Sequence, residues 1–222
     1  MPVARPADAI LIILAAVAGL AWGVAADRIA ARWPPHEDGS VRPIDWRTGV
    51  VAVAGAVAAG LLVDRLWADP RALIYVGVVV VLLVLLFATD LDQHLLPDVV
   101  TLPLVGYALV GFVAGIGPFI RTPTDLLWAV VAGIALPVAL LVISIPFGAG
   151  AIGMGDLKLL LAVGLIVGAL RLVATIVVGA VAAAVAIVIL IAARRISLKS
   201  YVPYGPFLIA GALWTMLANP PA

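Results

Sequence analysis

Two short stretches hold the acids of this chain whose setting suits chemistry. Gly153-Met154-Gly155-Asp156-Leu157-Lys158 sets a carboxylate against glycine backbone at the start of a thoroughly apolar segment. Upstream, Asp90-Leu91-Asp92-Gln93-His94-Leu95-Leu96-Pro97-Asp98 closes another apolar run. An ionisable group beside a bilayer core is expensive to keep, so each acid is a functional candidate. Two carboxylates brought together in low dielectric do not both ionise cheaply, and the pair holds one proton between them. The ionised member can take a proton from water while the neutral one polarises a carbonyl or protonates a leaving amine. This is the chemistry of peptide-bond hydrolysis, with Asp156 and an acid of the upstream stretch as the expected pair; Asp90 is the reading taken, though spacing alone could also nominate Asp92. It requires neither metal nor cofactor, and none is expected here: cysteine is absent, and His36 and His94 are the only histidines.

The elements that must position these acids are membrane helices. The chain is 65% hydrophobic and 11% charged, with a mean hydropathy of +1.27. A soluble domain holds roughly 45–50% apolar and about 25% charged residues, so this much apolar surface requires lipid. A net charge of +1 argues against nucleic-acid partners. The expectation is a single all-α, polytopic membrane domain over residues 1–222 with about eight transmembrane helices. Segments of high β-branched content, such as 72–89, are read as helix because lipid demands internally bonded backbone.

Taken in order, the apolar segments run about 9–26, 48–63, 72–89, 99–118, 125–146, 157–170, 172–193 and 201–219. The first reads either as a cleavable signal segment, with Val24 and Ala26 as small cleavage-site residues, or as a retained helix. Residues 27–47 form the long polar stretch and are expected to be a solvated loop. Asp90 stops the third span and sits near the membrane boundary. A glycine-rich connection, 147–155, precedes the sixth span, and Arg171 marks the turn between the sixth and seventh. Fourteen residues in the sixth span reach only about 21 Å, which keeps Asp156 poorly hydrated. Eight of the thirteen Lys and Arg residues fall in the odd-numbered loops, which favours a cytoplasmic location for those loops. Asp90 opens the third loop and Asp156 closes the fifth, so both acids face the same side of the membrane.

The Asp90–Asp98 stretch with Thr101-Leu102-Pro103, then Gly153–Lys158, resembles the two motifs of the type IV prepilin peptidases, aspartic proteases of the GxGD type. Tyr201-Val202-Pro203-Tyr204-Gly205-Pro206-Phe207 is similar to a Pro-(Phe/Tyr)-Gly-Pro segment near their C-terminus. The resemblance covers about residues 75–218, and a fainter one from Gly23 to Pro34 favours a retained first helix. It implies that Asp90 and Asp156 are the catalytic pair. It implies a substrate as well, the class III signal peptide of pilin-like subunits, whose hydrophobic N-terminal helix lies in the inner membrane and is cut at its cytoplasmic end. Residues 72–219 would be the peptidase core. Residues 1–47 would be a first helix with a shortened, degenerate methyltransferase-like region. Because the large cysteine-bearing loop of better-known members is missing, N-methylation by S-adenosylmethionine is not expected.

Gly153, Gly155, Asp92, Asp98 and Lys158 are secondary candidates for binding substrate or shaping the site. Each has a plainer reading. Asp156 could cap the sixth span, Asp98 could cap the fourth, and Lys158 could pair with a carboxylate or a phospholipid. His94 reads as an interfacial loop residue. Asp90, Asp92 and Asp98 together would supply negative potential that draws in a basic leader. The competing functions are a related GxGD protease acting on preflagellins or signal peptides, and a proton-coupled transporter with a carboxylate ion site.

Overall fold

The computed structural model describes residues 6–35, 39–145, 153–195 and 204–218. Among them there are eight α-helices and no strand: α1 Pro6–Ala30, α2 Trp46–Leu66, α3 Pro70–Gln93, α4 Asp98–Val113, α5 Pro123–Ser144, α6 Met154–Val167, α7 Ala169–Ala192 and α8 Gly205–Leu217. Most of the glycine-rich connection and residues 201–203 lie outside the described residues. Five helices (α1, α2, α3, α5 and α7) are long and apolar enough to cross a membrane, in keeping with a polytopic membrane protein.

Local sequence sets several helix starts. Asp69 accepts from the backbone amides of Arg71 and Ala72, with Pro70 in the first turn where its missing N–H is harmless. Thr122 and Asp125 form a reciprocal capping box at the start of α5, followed by Pro123. Asp45 accepts from the amide of Arg47 at 2.9 Å to begin α2.

Several boundaries differ from the sequence expectation, two of them at charged residues. The third helix does not stop at Asp90 but continues one turn to Gln93, ending at His94 in the left-handed conformation. Asp90 is therefore held inside a helix turn. The break between the sixth and seventh helices falls at Gly168 (φ 85°, ψ 168°), where only glycine is at ease, and not at Arg171. Arg171 instead lies in the first turn of α7 with its guanidinium 5.0 Å from the centre of the Phe119 ring.

The bundle is centred on α3 and α6. Helices α1, α2, α4 and α8 pack on α3, whereas α4, α5, α7 and α8 pack on α6. α3 is the most enclosed of the long helices, through residues such as Val76, Val79, Leu83 and Leu86. The C-terminal end of α3 meets the N-terminal ends of α4, α6 and α8 at one end of the bundle. The last three have 16, 14 and 13 residues. At ~1.5 Å per residue each falls short of a ~30 Å hydrocarbon core.

Candidate active site

The four converging helix ends enclose a cavity of about 280 Å³ lined by Asp90, His94, Leu95, Leu96, Asp98, Gly153, Met154, Gly155, Asp156, Lys158, Tyr204 and Gly205. Two acids that lie far apart in sequence thus meet. Asp90, in the last turn of α3, is 4% exposed, and its Oδ2 has no hydrogen-bond partner among the described residues. Asp156 stands in the first turn of α6, where its Oδ2 accepts from the Gly153 amide at 3.3 Å. Part of the capping reading for Asp156 therefore holds, and the second oxygen, Oδ1, is left for the cavity.

Gly205 is where the two acids come together. A Cβ built on it would lie 2.8 Å from Asp90 Cγ and 2.9 Å from Asp156 Oδ1. Both carboxylates consequently border a single point that any side chain at 205 would fill. The sequence expectation does not include Tyr204-Gly205-Pro206 in the site, although the Tyr-Gly-Pro-Phe segment is the signal that points there. Tyr204 lines the cavity beside Gly205, and its hydroxyl donates to the Ile176 carbonyl at 3.3 Å.

The secondary candidates divide. Gly155 packs against Leu96, close enough that a Cβ would stand 2.9 Å from the leucine Cβ. Lys158 Nζ donates to both oxygens of Asp98 at 2.7 Å, tying α6 to α4 at the cavity. Asp98 is the first residue of α4 and makes no side-chain cap; Pro97 holds the cap position. His94 lines the cavity as the left-handed end of α3.

Asp92 does not line the cavity. Two residues on from Asp90, it points about 200° away around the helix and is buried among arginines. Arg42 Nε pairs with it, and Arg47 lies 3.3 Å away. The steering field expected from Asp90, Asp92 and Asp98 is therefore corrected: two of its three charges are matched by cations. The polar stretch 27–47 is likewise more than a solvated loop. Asp27 is fully buried, accepting from Thr48 Oγ1 at 2.6 Å and pairing with Arg28 and Arg42.

Among the described residues no three potential metal ligands cluster. The arrangement is two carboxylates facing one small volume, an apolar wall from Leu95, Leu96 and Met154, and an ion pair at the side.

The chain is 31% identical over 180 residues to the prepilin leader peptidase/N-methyltransferase of Burkholderia pseudomallei, covering 81% of this chain and 57% of that protein. It is 31% identical over 194 residues to the protein of the same name from Pseudomonas putida (84% of this chain, 60% of the relative). With the Dickeya chrysanthemi protein of that name it shares 27% identity over 175 residues (78% and 61%). The chain thus spans about three-fifths of the length of these curated relatives. No solved structure matches it significantly. A sequence profile of the type IV leader peptidase family matches residues 77–193, the segment that carries both Asp90 and Asp156, and the chain belongs to that family.

Proposed function

We propose that this protein is a membrane-embedded aspartic endopeptidase that removes the leader peptide of type IV prepilin-like substrates. The observation that carries the reading is the approach of Asp90 and Asp156 to one point at Gly205. A water molecule between the carboxylates loses a proton to the ionised aspartate as its oxygen bonds to the scissile carbonyl carbon. The neutral aspartate then gives its proton to the leaving nitrogen as the C–N bond breaks. The burial of Asp90 favours a water that is held, and proximity of this kind contributes much of the rate.

The substrate's hydrophobic N-terminal helix stays in the bilayer while its leader enters the cavity, with residues 72–219 acting as the peptidase core. The excess of Lys and Arg on the loops at this end favours a cytoplasmic active site in the inner membrane. Leader removal proceeds without N-methylation, because the loop between the first two helices is short and lacks cysteine.

Co-expression with a type IV pilin precursor tests this directly. Wild type removes the leader, and mass spectrometry finds an unmethylated new amino terminus. Asp90→Asn and Asp156→Asn each insert normally and leave the precursor intact. Normal processing by either variant removes that residue from the mechanism.

A further inference from the structure

The last turn of α3 is gripped by the polar stretch that follows α1 and by the helix ends beside it. Two side chains of α3, Asp92 and Gln93, take these contacts. Asp92 pairs with Arg42 and Arg47. Arg42 is itself fixed from the other side, since its guanidinium also pairs with the buried Asp27 and with Asp45, the cap of α2. One residue further along α3, Gln93 Nε2 donates to the carbonyls of Pro34 at 2.7 Å and Ala30 at 3.3 Å. Those carbonyls belong to the end of α1 and the chain just beyond it, so the amide side chain occupies acceptors left open where a helix stops.

We infer that Arg42 is a positioning residue for the proposed reaction: through Asp92 it sets the rotation and height of the last turn of α3, and so holds Asp90 against Gly205 and Asp156. The inference rests on the catalytic reading of Asp90. Asp90 and Asp92 lie on roughly opposite faces of one turn, so a force on the second is transmitted to the first through rigid helix backbone. Among the described residues, no hydrogen bond fixes Asp90 Oδ2. Its placement depends on the turn that carries it. Arg42 can perform this task because a planar guanidinium reaches several carboxylates in fixed directions, which a lysine ammonium on the same stem would not reproduce. Its side chain is 10% exposed and that of Asp92 1%, so the network is shielded from competing water and salt.

A displacement of about 1 Å at a reacting group can lower the rate roughly 100-fold, which sets the scale of the expected effect. The test measures cleavage of a purified type IV pilin precursor by the full chain in lipid vesicles. Arg42→Gln and Asp92→Asn are each expected to lower kcat by about 10- to 100-fold with KM within about twofold of wild type. The double variant is expected to be no slower than the worse single one, because both act through one contact. Arg42→Lys is expected to recover only a minority of the lost rate. A rise in KM at unchanged kcat would assign Arg42 to substrate binding and overturn the inference, as would wild-type kinetics in both variants. Asp92→Asn is nearly isosteric and guards against a folding defect in Arg42→Gln; if neither accumulates in the membrane, the network serves folding and the inference fails. Asp90→Asn runs alongside: if it cleaves normally the catalytic reading has failed, whereas an inactive Asp90→Asn with normal Arg42→Gln refutes the positioning role alone.

Discussion

Gly205 faces Asp90 so closely that a Cβ on the glycine would stand 2.8 Å from the carboxylate carbon. The same Cβ would meet Asp156 Oδ1 at 2.9 Å, so one hydrogen atom in place of a methyl group keeps the space between the two acids open. Gly205 is not among the glycines with positive φ, which separates this spatial requirement from a backbone one.

Gly205→Ala is therefore expected to insert and fold, since alanine suits the first turn of a helix better than glycine does. Leader cleavage is expected to fall by about 100-fold or more, as the methyl group displaces a carboxylate or the water it would hold. Comparison of initial cleavage rates at equal membrane abundance checks this. Activity near wild type would mean that the acids do not work from the arrangement described.

Lys158 and Asp98 give a prediction with a sign. Lys158 neutralises a carboxylate at the cavity, and the Asp98 side chain is 56% exposed. Exposed pairs of this kind contribute about 0–1 kcal/mol to stability, so Lys158→Met is expected to fold. It uncovers a negative charge, and a basic leader is expected to be cleaved a few-fold faster at roughly 0.01 M salt than by wild type. The difference is expected to vanish at about 1 M salt, where the screening length is near 3 Å. Equal losses at both salt concentrations would show instead that the ammonium is needed directly for turnover.

Gly168 joins α6 to α7 with φ 85° and ψ 168°, a region that other residues avoid. A Cβ there would meet only Ile120 Cγ1, at 3.9 Å, so the penalty of Gly168→Ala lies in the backbone and not in crowding. The variant is expected to lose about 1–3 kcal/mol of stability. Thermal unfolding in detergent reads this as a lower Tm, while cleavage below the transition is retained because the cavity is at the opposite end of α6.

Much of the helical order is legible in the chain because lipid imposes one rule on every spanning segment: bury the apolar side chains and bond the backbone internally. That rule finds all eight helices, though not all of their ends. Charge reads as a stop signal at Asp90 and Arg171, yet α3 runs through Asp90 and α7 begins before Arg171. A charged side chain can stay in a helix when it has a cavity to face or an aromatic ring to cover. Arg171 over Phe119 illustrates the second case. The stretch 27–47 departs from the solvated loop its polarity predicts for a related reason. Hydropathy registers Asp27, Arg42 and Asp45 as polar, and cannot register that they neutralise one another out of water.

What the sequence by itself determined is the helical membrane architecture, the membership of a peptidase family, and the placing of two acids at one end of the bundle, because an even number of crossings returns the chain to the same side. Only the tertiary structure decided which acid of the Asp90–Asp92 pair faces the cavity, that Asp98 is matched by Lys158, and that Gly205 forms the floor between the carboxylates. The reason is geometric. Spacing along a helix fixes the angle between Asp90 and Asp92 but not the direction in which either points, and that direction is set by what packs on α3: α8 with Gly205 on one side, and Arg42 with Arg47 on the other.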